Sequence, residues 1–262
     1  MPKRLDVLLA ERGLSPSREQ AQRAVMAGLV YVDGKRTDKP GQPVREEAAL
    51  EIMGGQPYVS RGGEKLAGAL AVFPIRVSGR ICLDLGASTG GFTDYLLQNG
   101  AARVYAVDVG HGQLAWKLRQ DPRVMVMEGV NARYLERDSL LEAPDLITMD
   151  LAFISLELIL PAAVRVMDAG GDLLALIKPQ FEAGRGQVGK RGVVRHPEIH
   201  CEVLRKILAA AASLGLGLQG LTHSPLRGPE GNLEFFAWWN TGRASAQVKA
   251  VEAVVEQAHG MQ

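Results

Sequence analysis

The stretch Ile81-Cys82-Leu83-Asp84-Leu85 runs straight into Gly86-Ala87-Ser88-Thr89-Gly90-Gly91-Phe92, and this junction restricts the possible folds more than any other part of the chain. A short apolar strand ends in a glycine-rich turn, and a helix follows with Phe92, Tyr95 and Leu96 on its inner face. Residues 103–107 read as the next strand, closed by Asp108. Strand, glycine loop, helix, strand and acid together describe the first βαβ unit of a Rossmann-like sheet.

Further strands are expected at 124–127, 146–149 and 172–177, with helices between them. A helix at 197–213 precedes strands around 217–222 and 233–239. Such alternation predicts an α/β fold with a mostly parallel sheet and helices on both faces. With 262 residues the chain is long enough for one large domain and a small one.

The glycine loop also bears on the ligand. A dinucleotide site uses G-x-G-x-x-G to admit a pyrophosphate near a helix N-terminus. Here the loop reads Asp84-x-Gly86-x-Ser88-x-Gly90-Gly91, with an acid two residues before the first glycine. S-adenosylmethionine carries a sulfonium and an α-amino group but no phosphate, so an acid belongs beside it. Asp84 fits the methionine end and Asp108 the ribose hydroxyls. The candidate cofactor contacts are Asp84, Gly86, Ala87, Ser88, Thr89, Gly90, Phe92, Asp108, Asn131 and Asp150. By itself the loop leaves NAD open, and Asp84 alone could be a turn-capping carboxylate.

The first 55 residues have a different character. Leu5, Leu8 and Leu9 recur at helical spacing until Gly13. Ser17 is placed to cap a second helix whose apolar face is Ala21, Ala24 and Val25, ended by Gly28. Residues 29–32 read as a strand, and Asp33-Gly34 as a hairpin turn. The formal net charge is only +1, yet residues 1–45 hold nine Lys/Arg against five Asp/Glu. A second block, residues 178–196, has five basic residues and one acid. Two separated basic surfaces in a neutral protein suggest a polyanion held at two places.

Through Arg4-Leu5-Asp6, Ser17-Arg18-Glu19-Gln20-Ala21, Gly28-Leu29-Val30 and Val32-Asp33-Gly34, this block resembles the αL RNA-binding module named after ribosomal protein S4. The resemblance implies a small α+β domain that grips RNA through phosphates and shape. Arg4, Arg18, Arg23, Lys35, Arg36 and Lys39 are its candidate contacts, joined by Arg61, Arg185, Lys190 and Arg191 in the larger domain. The competing reading is a capping domain whose charges are merely solvated. The expected division is 1–55 for this module, 56–63 for a mobile linker in which Gly62-Gly63 supplies backbone freedom, and 64–262 for the Rossmann-like domain.

Four short stretches then align: Gly63-Glu64-Lys65-Leu66, Thr148-Met149-Asp150-Leu151, Leu176-Ile177-Lys178-Pro179-Gln180-Phe181-Glu182 and Gly231-Asn232-Leu233-Glu234-Phe235. Asp150 and Lys178 each end an apolar strand, at the carboxyl edge where such sheets place ligands. Glu234 is expected inside an apolar strand, a costly position without a partner. Singly, Lys65 reads as a solvated helix residue and Asp150 as a strand-end cap. Jointly, the order Lys-Asp-Lys-Glu resembles the TlyA (haemolysin A) family of ribosomal RNA 2′-O-ribose methyltransferases, whose large domain is similar to the FtsJ-type enzymes. The resemblance spans nearly the whole chain, and Thr89, where FtsJ-type loops usually have proline, follows TlyA. It implies a catalytic tetrad of Lys65, Asp150, Lys178 and Glu234, S-adenosylmethionine as methyl donor, and cytidine in ribosomal RNA, within folded ribosomal subunits, as substrate.

A ribose 2′-hydroxyl is a poor nucleophile whose proton must leave as the oxygen attacks. An ordinary lysine has a pKa near ~10.4, but a second cation and partial desolvation push such a group down. Lys178 is the candidate to take or guide the proton, with Lys65 holding the hydroxyl and Asp150 and Glu234 orienting the lysines. Two other readings stay open at this point: an RNA-binding assembly factor without methyl transfer, and direct membrane lysis. Cys82 and Cys201 lie in apolar patterns and read as two buried thiols in a reducing compartment, with neither a disulfide nor a zinc site. The N-terminus lacks a signal-peptide core, and the apolar run 207–218 is too short for a bilayer, so a cytoplasmic location is expected.

Overall fold

In a computed structural model whose described residues are 2–53 and 57–260, the chain divides after Pro57 into units of Met1–Pro57 and Tyr58–Gln262. The expected start of the linker at residue 56 lies outside the described residues.

The first unit begins with β1 (Lys3–Arg4), α1 (Leu5–Glu11) and α2 (Arg18–Met26). It continues through β2 (Val30–Val32), β3 (Lys35–Thr37), β4 (Pro43–Val44) and β5 (Leu50–Ile52). Ser17 caps α2 by accepting a hydrogen bond from the Gln20 amide, leaving one fewer orphan donor in the first turn. Asp33 and Gly34 both have positive φ, 49° and 77°, so the β2–β3 turn matches the right-handed twist of its strands. The order β3-β2-β5 forms one antiparallel sheet, while β1 pairs with β4. Leu5, Leu8, Leu9, Val25 and Val30 make the core. Each such fully buried aliphatic side chain contributes about 1.5–3 kcal/mol.

The second unit opens with α3 (Arg61–Val72), β6 (Ile81–Leu85), α4 (Gly91–Gln98), β7 (Arg103–Asp108), α5 (Trp116–Arg119) and β8 (Val124–Glu128). It then runs through β9 (Leu146–Met149), α6 (Leu160–Val166), β10 (Asp172–Ile177), α7 (Pro179–Glu182), α8 (Pro197–Ser213), β11 (Gly217–His223), β12 (Phe235–Asn240) and α9 (Val251–Gly260). Seven strands form a single sheet in the order β11-β12-β10-β9-β6-β7-β8. Strands β6 to β10 are parallel; β12 enters antiparallel between β10 and β11, so the sheet is mixed.

Side chains alternate across the strands, as the period of two requires. Leu83, Val107, Ile147, Leu173, Phe235 and Trp239 fall into a core that includes α6, α8 and α9 residues. Cys82, Val104, Leu146, Leu174, Phe236 and Trp238 fall into another with α3 and α4 residues. Asp84 and Thr148 interrupt this second set as fully buried polar groups.

Four expectations are corrected. The strand predicted from 233 starts at Phe235, so Glu234 precedes it. Between β8 and β9 the chain makes only short 3-10 turns, at Ala132–Tyr134 and Arg137–Ser139. Cys201 is half-buried: from α8 it packs at the margin of the core that holds Leu83 and Trp239, whereas Cys82 lies fully within the other core. Gly62 and Gly63 lie in the first turn of α3, and Gly63 is a packing residue: a Cβ there would overlap the Tyr58 ring, whereas one on Gly62 would make ordinary contact, 3.5 Å from Phe92.

Candidate active site

The carboxyl ends of β6, β9 and β10 lie side by side, which brings the glycine loop, Asp150 and Lys178 to one edge of the sheet. The antiparallel register pairs Ile177 with Phe235, and continuing it by one residue sets Lys178 opposite Glu234. Lys65 arrives from α3. Its Nζ lies 2.5 Å from Glu234 Oε2, joining residues far apart in sequence. Lys65 is 7% exposed and Glu234 2% exposed. Lys178 Nζ lies 2.6 Å from Asp150 Oδ1 in a more open pair. The tetrad is thus two lysine–carboxylate pairs, neutral in sum when fully ionised.

A cleft of about 280 Å³ opens at this edge. Its walls are the first turn of α3, the loop from Gly86 to Thr89, Phe92, Lys65, Asp150, Lys178 and Pro229. Close backbone approach makes the loop what it is. A Cβ on Gly86 would stand 2.5 Å from the Asp150 carbonyl oxygen, and one on Gly91 would stand 2.8 Å from the Gly63 nitrogen. Gly90 caps α4 at φ 98°, and Ser88 is held left-handed at φ 48°. Asp108 accepts hydrogen bonds from the Ser88 amide at 2.8 Å and the Gly110 amide at 2.7 Å, fixing the loop from outside while staying partly exposed.

Asp84 does not reach the cleft. It is fully buried beneath the loop, accepting from the Thr93 amide (3.0 Å), the Thr93 hydroxyl (2.7 Å) and the Thr148 hydroxyl (3.2 Å). Burial pushes its carboxyl up to about 7, against the opposing effect of these hydrogen bonds. Its place is that of a bolt between β6, β9 and the start of α4. Asn131 also stands outside the cleft walls, where its side chain is exposed and accepts from the Arg133 amide.

Among the expected RNA contacts, Arg4 and Arg18 converge with Gln22 on the buried Asp6 carboxylate. The Arg4 guanidinium holds that carboxyl well below the usual range. Both arginines stay about half exposed, so they brace α1 and α2 and still present charge. Arg23, Lys35, Arg36 and Lys39 are exposed on the same unit. Arg61 is exposed and donates to the Arg227 carbonyl at 2.9 Å. Arg191 is exposed, with a left-handed backbone at φ 70°. The side chains of Arg185 and Lys190 lie outside the described residues.

Sequence reasoning passed over Phe153, which is 90% exposed at φ 63° and stands 5.0 Å from the Phe181 ring. Its neighbour Ala152 lines the cleft, and Lys178 Nζ is 6.0 Å from the Phe181 centroid. The apolar run around Phe153 gave no sign of such exposure. Glu182, itself buried, accepts from the Ser155 hydroxyl at 2.6 Å and the Leu156 amide at 2.8 Å, and so braces the segment after Asp150. Pro229 was also missed, because its glycine-flanked setting reads only as a turn.

Comparison with known proteins agrees with this fold. Residues 58–241 match the FtsJ-like methyltransferase family, and residues 3–50 match the S4 domain. A Bacillus subtilis protein, YqxC, provisionally named an rRNA methyltransferase, is 50% identical over 98% of this chain and 94% of its own. The Mycobacterium tuberculosis 16S/23S rRNA (cytidine-2′-O)-methyltransferase TlyA is 46% identical over 97% of this chain and 96% of its own. A solved structure from Streptococcus thermophilus, which bears a provisional hemolysin name, superposes with a TM-score of 0.76 at 49% identity, covering 99% of this chain and 96% of that one.

Proposed function

This chain belongs to the TlyA branch of the FtsJ-like methyltransferases, and from that premise we propose that it methylates the ribose 2′-hydroxyl of a cytidine in ribosomal RNA, with S-adenosylmethionine as donor. The observation that carries the reading is the meeting of two lysine–carboxylate pairs at the lip of the cleft beneath the glycine loop. The loop fits the donor: Gly86 and Gly91 line the cleft without side chains, and Asp108, partly exposed beside the loop, keeps acceptor lone pairs for ribose hydroxyls beyond those used by the Ser88 and Gly110 amides. When bound, S-adenosylmethionine supplies an electrophilic methyl carbon.

The side chains divide the remaining work. Lys178 Nζ takes the 2′-hydroxyl proton as the oxygen–methyl bond forms and the sulfur–methyl bond breaks. Asp150, 2.6 Å away, gains its full attraction only as that ammonium forms, so the interaction favours the transition state over the ground state. Lys65, charge-balanced by Glu234, donates to the 2′-oxygen and steadies its developing negative charge. Phe153 offers an exposed ring on which an unstacked base can rest, the usual way an RNA base is held outside its helix. The exposed basic residues of the first unit supply phosphate contacts, and a ribosomal substrate places the enzyme in the cytoplasm. Among the described residues, no helix is long and apolar enough to cross a membrane.

Labelled methyl transfer from S-adenosylmethionine to ribosomal subunits, with the product nucleotide mapped by mass spectrometry, tests the reading. Lys65→Ala is expected to abolish transfer while leaving donor binding nearly intact. Retained activity in that variant would refute the tetrad assignment. Absence of transfer by the wild type would leave an RNA-binding assembly factor, and dye leakage from vesicles would point to lysis instead.

A further inference from the structure

We infer that Asn232 is a positioning residue that couples a basic, RNA-facing turn to the Lys65–Glu234 pair, so that phosphate engagement and catalytic geometry are set by one side chain. The inference rests on the methyl-transfer reading above. Asn232 is 2% exposed and spends both ends of its amide on a single segment. Its Oδ1 accepts from the Val194 amide at 2.9 Å, and its Nδ2 donates to the Gly192 carbonyl at 2.9 Å. Its backbone carbonyl accepts from the Gly228 amide at 2.9 Å, closing the turn that carries Pro229 into the cleft wall.

The segment so held is unusual. Residues 189–193 fold back on themselves, with the Gly189 amide donating to Val193 at 3.1 Å and the Gly192 amide to Gly189 at 3.1 Å. Arg191 and Gly192 are consecutive left-handed residues, at φ 70° and 72°. Glycine adopts this conformation freely, but arginine does so at a cost, and such strain persists only where the surroundings over-determine it. Asn232 is the surrounding group that does so. It presents Arg191 and Arg195, both exposed, from a turn whose buried end is Val194 at 2% exposure.

The other end of the same contact reaches the tetrad. A Cβ on Gly228 would stand 2.7 Å from Glu234 Oε1 and 3.7 Å from Asn232 Cβ, so the turn 228–232 packs directly over the catalytic carboxylate. Arg61, at the start of the helix that carries Lys65, donates to the Arg227 carbonyl at 2.9 Å. The turn 227–232 is therefore gripped on one side by the Lys65 helix and on the other by the basic segment. Asn232 is the joint between them. Replacing it with alanine strands a buried amide and a carbonyl, frees residues 189–193 to leave the left-handed turn, and loosens the packing over Glu234.

The test compares wild type, Asn232→Ala, Asn232→Ser and Arg191→Ala as full-length proteins on ribosomal subunits. Calorimetric titration with S-adenosylmethionine counts the folded fraction, and rates are normalised to it. Asn232→Ala is expected to lower the single-turnover methyl-transfer rate at saturating subunit by roughly tenfold or more, and to flatten the dependence of subunit affinity on salt by about one phosphate contact. Asn232→Ser, which keeps one polar group, is expected to fall between. Arg191→Ala, which removes the charge and keeps the Asn232 hydrogen bonds, is expected to flatten the salt dependence by about one phosphate contact. An Asn232→Ala or Asn232→Ser enzyme with an unchanged saturated rate, or with unchanged salt dependence, overturns the coupling. Wild type that transfers no methyl group defeats the underlying functional reading instead, so the two failures are told apart.

Discussion

Glu234→Gln removes one charge from an ion pair whose side chains are 9% and 1% exposed, without changing the shape of the site. The Lys65 ammonium, 2.5 Å from its partner in the native protein, is then left without a counter-charge and only 9% exposed, reaching water along the cleft wall alone. Removing one member of a buried pair costs about 3–5 kcal/mol, because the remaining charge must stay unpaired or give up its proton. For a unit of this size each kcal/mol lowers the melting temperature by about 2–4 °C, so a fall of roughly 6–20 °C is expected in calorimetric unfolding at neutral pH. The double variant Lys65→Met with Glu234→Gln leaves no stranded charge. It should regain most of the loss, because apolar replacement of a buried pair is often neutral or stabilising. Both variants should bind S-adenosylmethionine and transfer no methyl group. A single variant melting within about 2 °C of wild type, or a double variant less stable than the single, would refute the argument that the pair is a buried, function-first interaction.

The Asp84 carboxyl is raised to about 7 in the folded protein, so the folded state binds more protons than the unfolded state between its ordinary value and neutrality. The contribution of Asp84 to stability should therefore be fully present below the ordinary carboxylate range and be lost as pH rises to about 7. A tenfold change in the proton equilibrium is about 1.4 kcal/mol, so this one group accounts for on the order of 4 kcal/mol across the window. Asp84→Asn should flatten that slope in urea titrations run at several pH values. Asp108→Ala should weaken S-adenosylmethionine binding by about 1–3 kcal/mol in calorimetry, through lost ribose contacts and a loosened Ser88 amide. Phe153→Ala should change stability by less than about 0.5 kcal/mol yet slow methyl transfer about tenfold or more, the scale of a lost base-stacking contact. Deleting residues 1–57 should leave donor binding intact but weaken subunit binding most at low salt; undiminished methylation by the truncated chain would count against an RNA role for the first unit.

The order of elements and most of the tetrad's setting were legible in the chain because both depend on local pattern. An apolar strand before Gly86 can only be covered on both faces, and the period of two along β6, β7, β9 and β10 assigns each side chain to one core or the other. Ser17 and the Asp33-Gly34 turn were equally readable, since a cap and a two-residue hairpin are satisfied within a few residues. Tertiary structure decided what depended on partners distant in sequence. Asp84 looked like a ligand contact and proved to be a buried bolt, because Thr148 comes from another strand to meet it. Glu234 looked like a strand residue and instead precedes β12, where Lys65 from α3 neutralises it. Gly62 and Gly63 looked like a flexible joint and instead begin a helix, with Gly63 close-packed against Tyr58. Asn232 stood in the sequence only as a neighbour of Glu234, because its role lies in Gly192 and Val194, which only the folded chain brings within hydrogen-bonding reach. Patterns of propensity and burial are written residue by residue, whereas the pairing of buried charges and amides is a property of the closed structure.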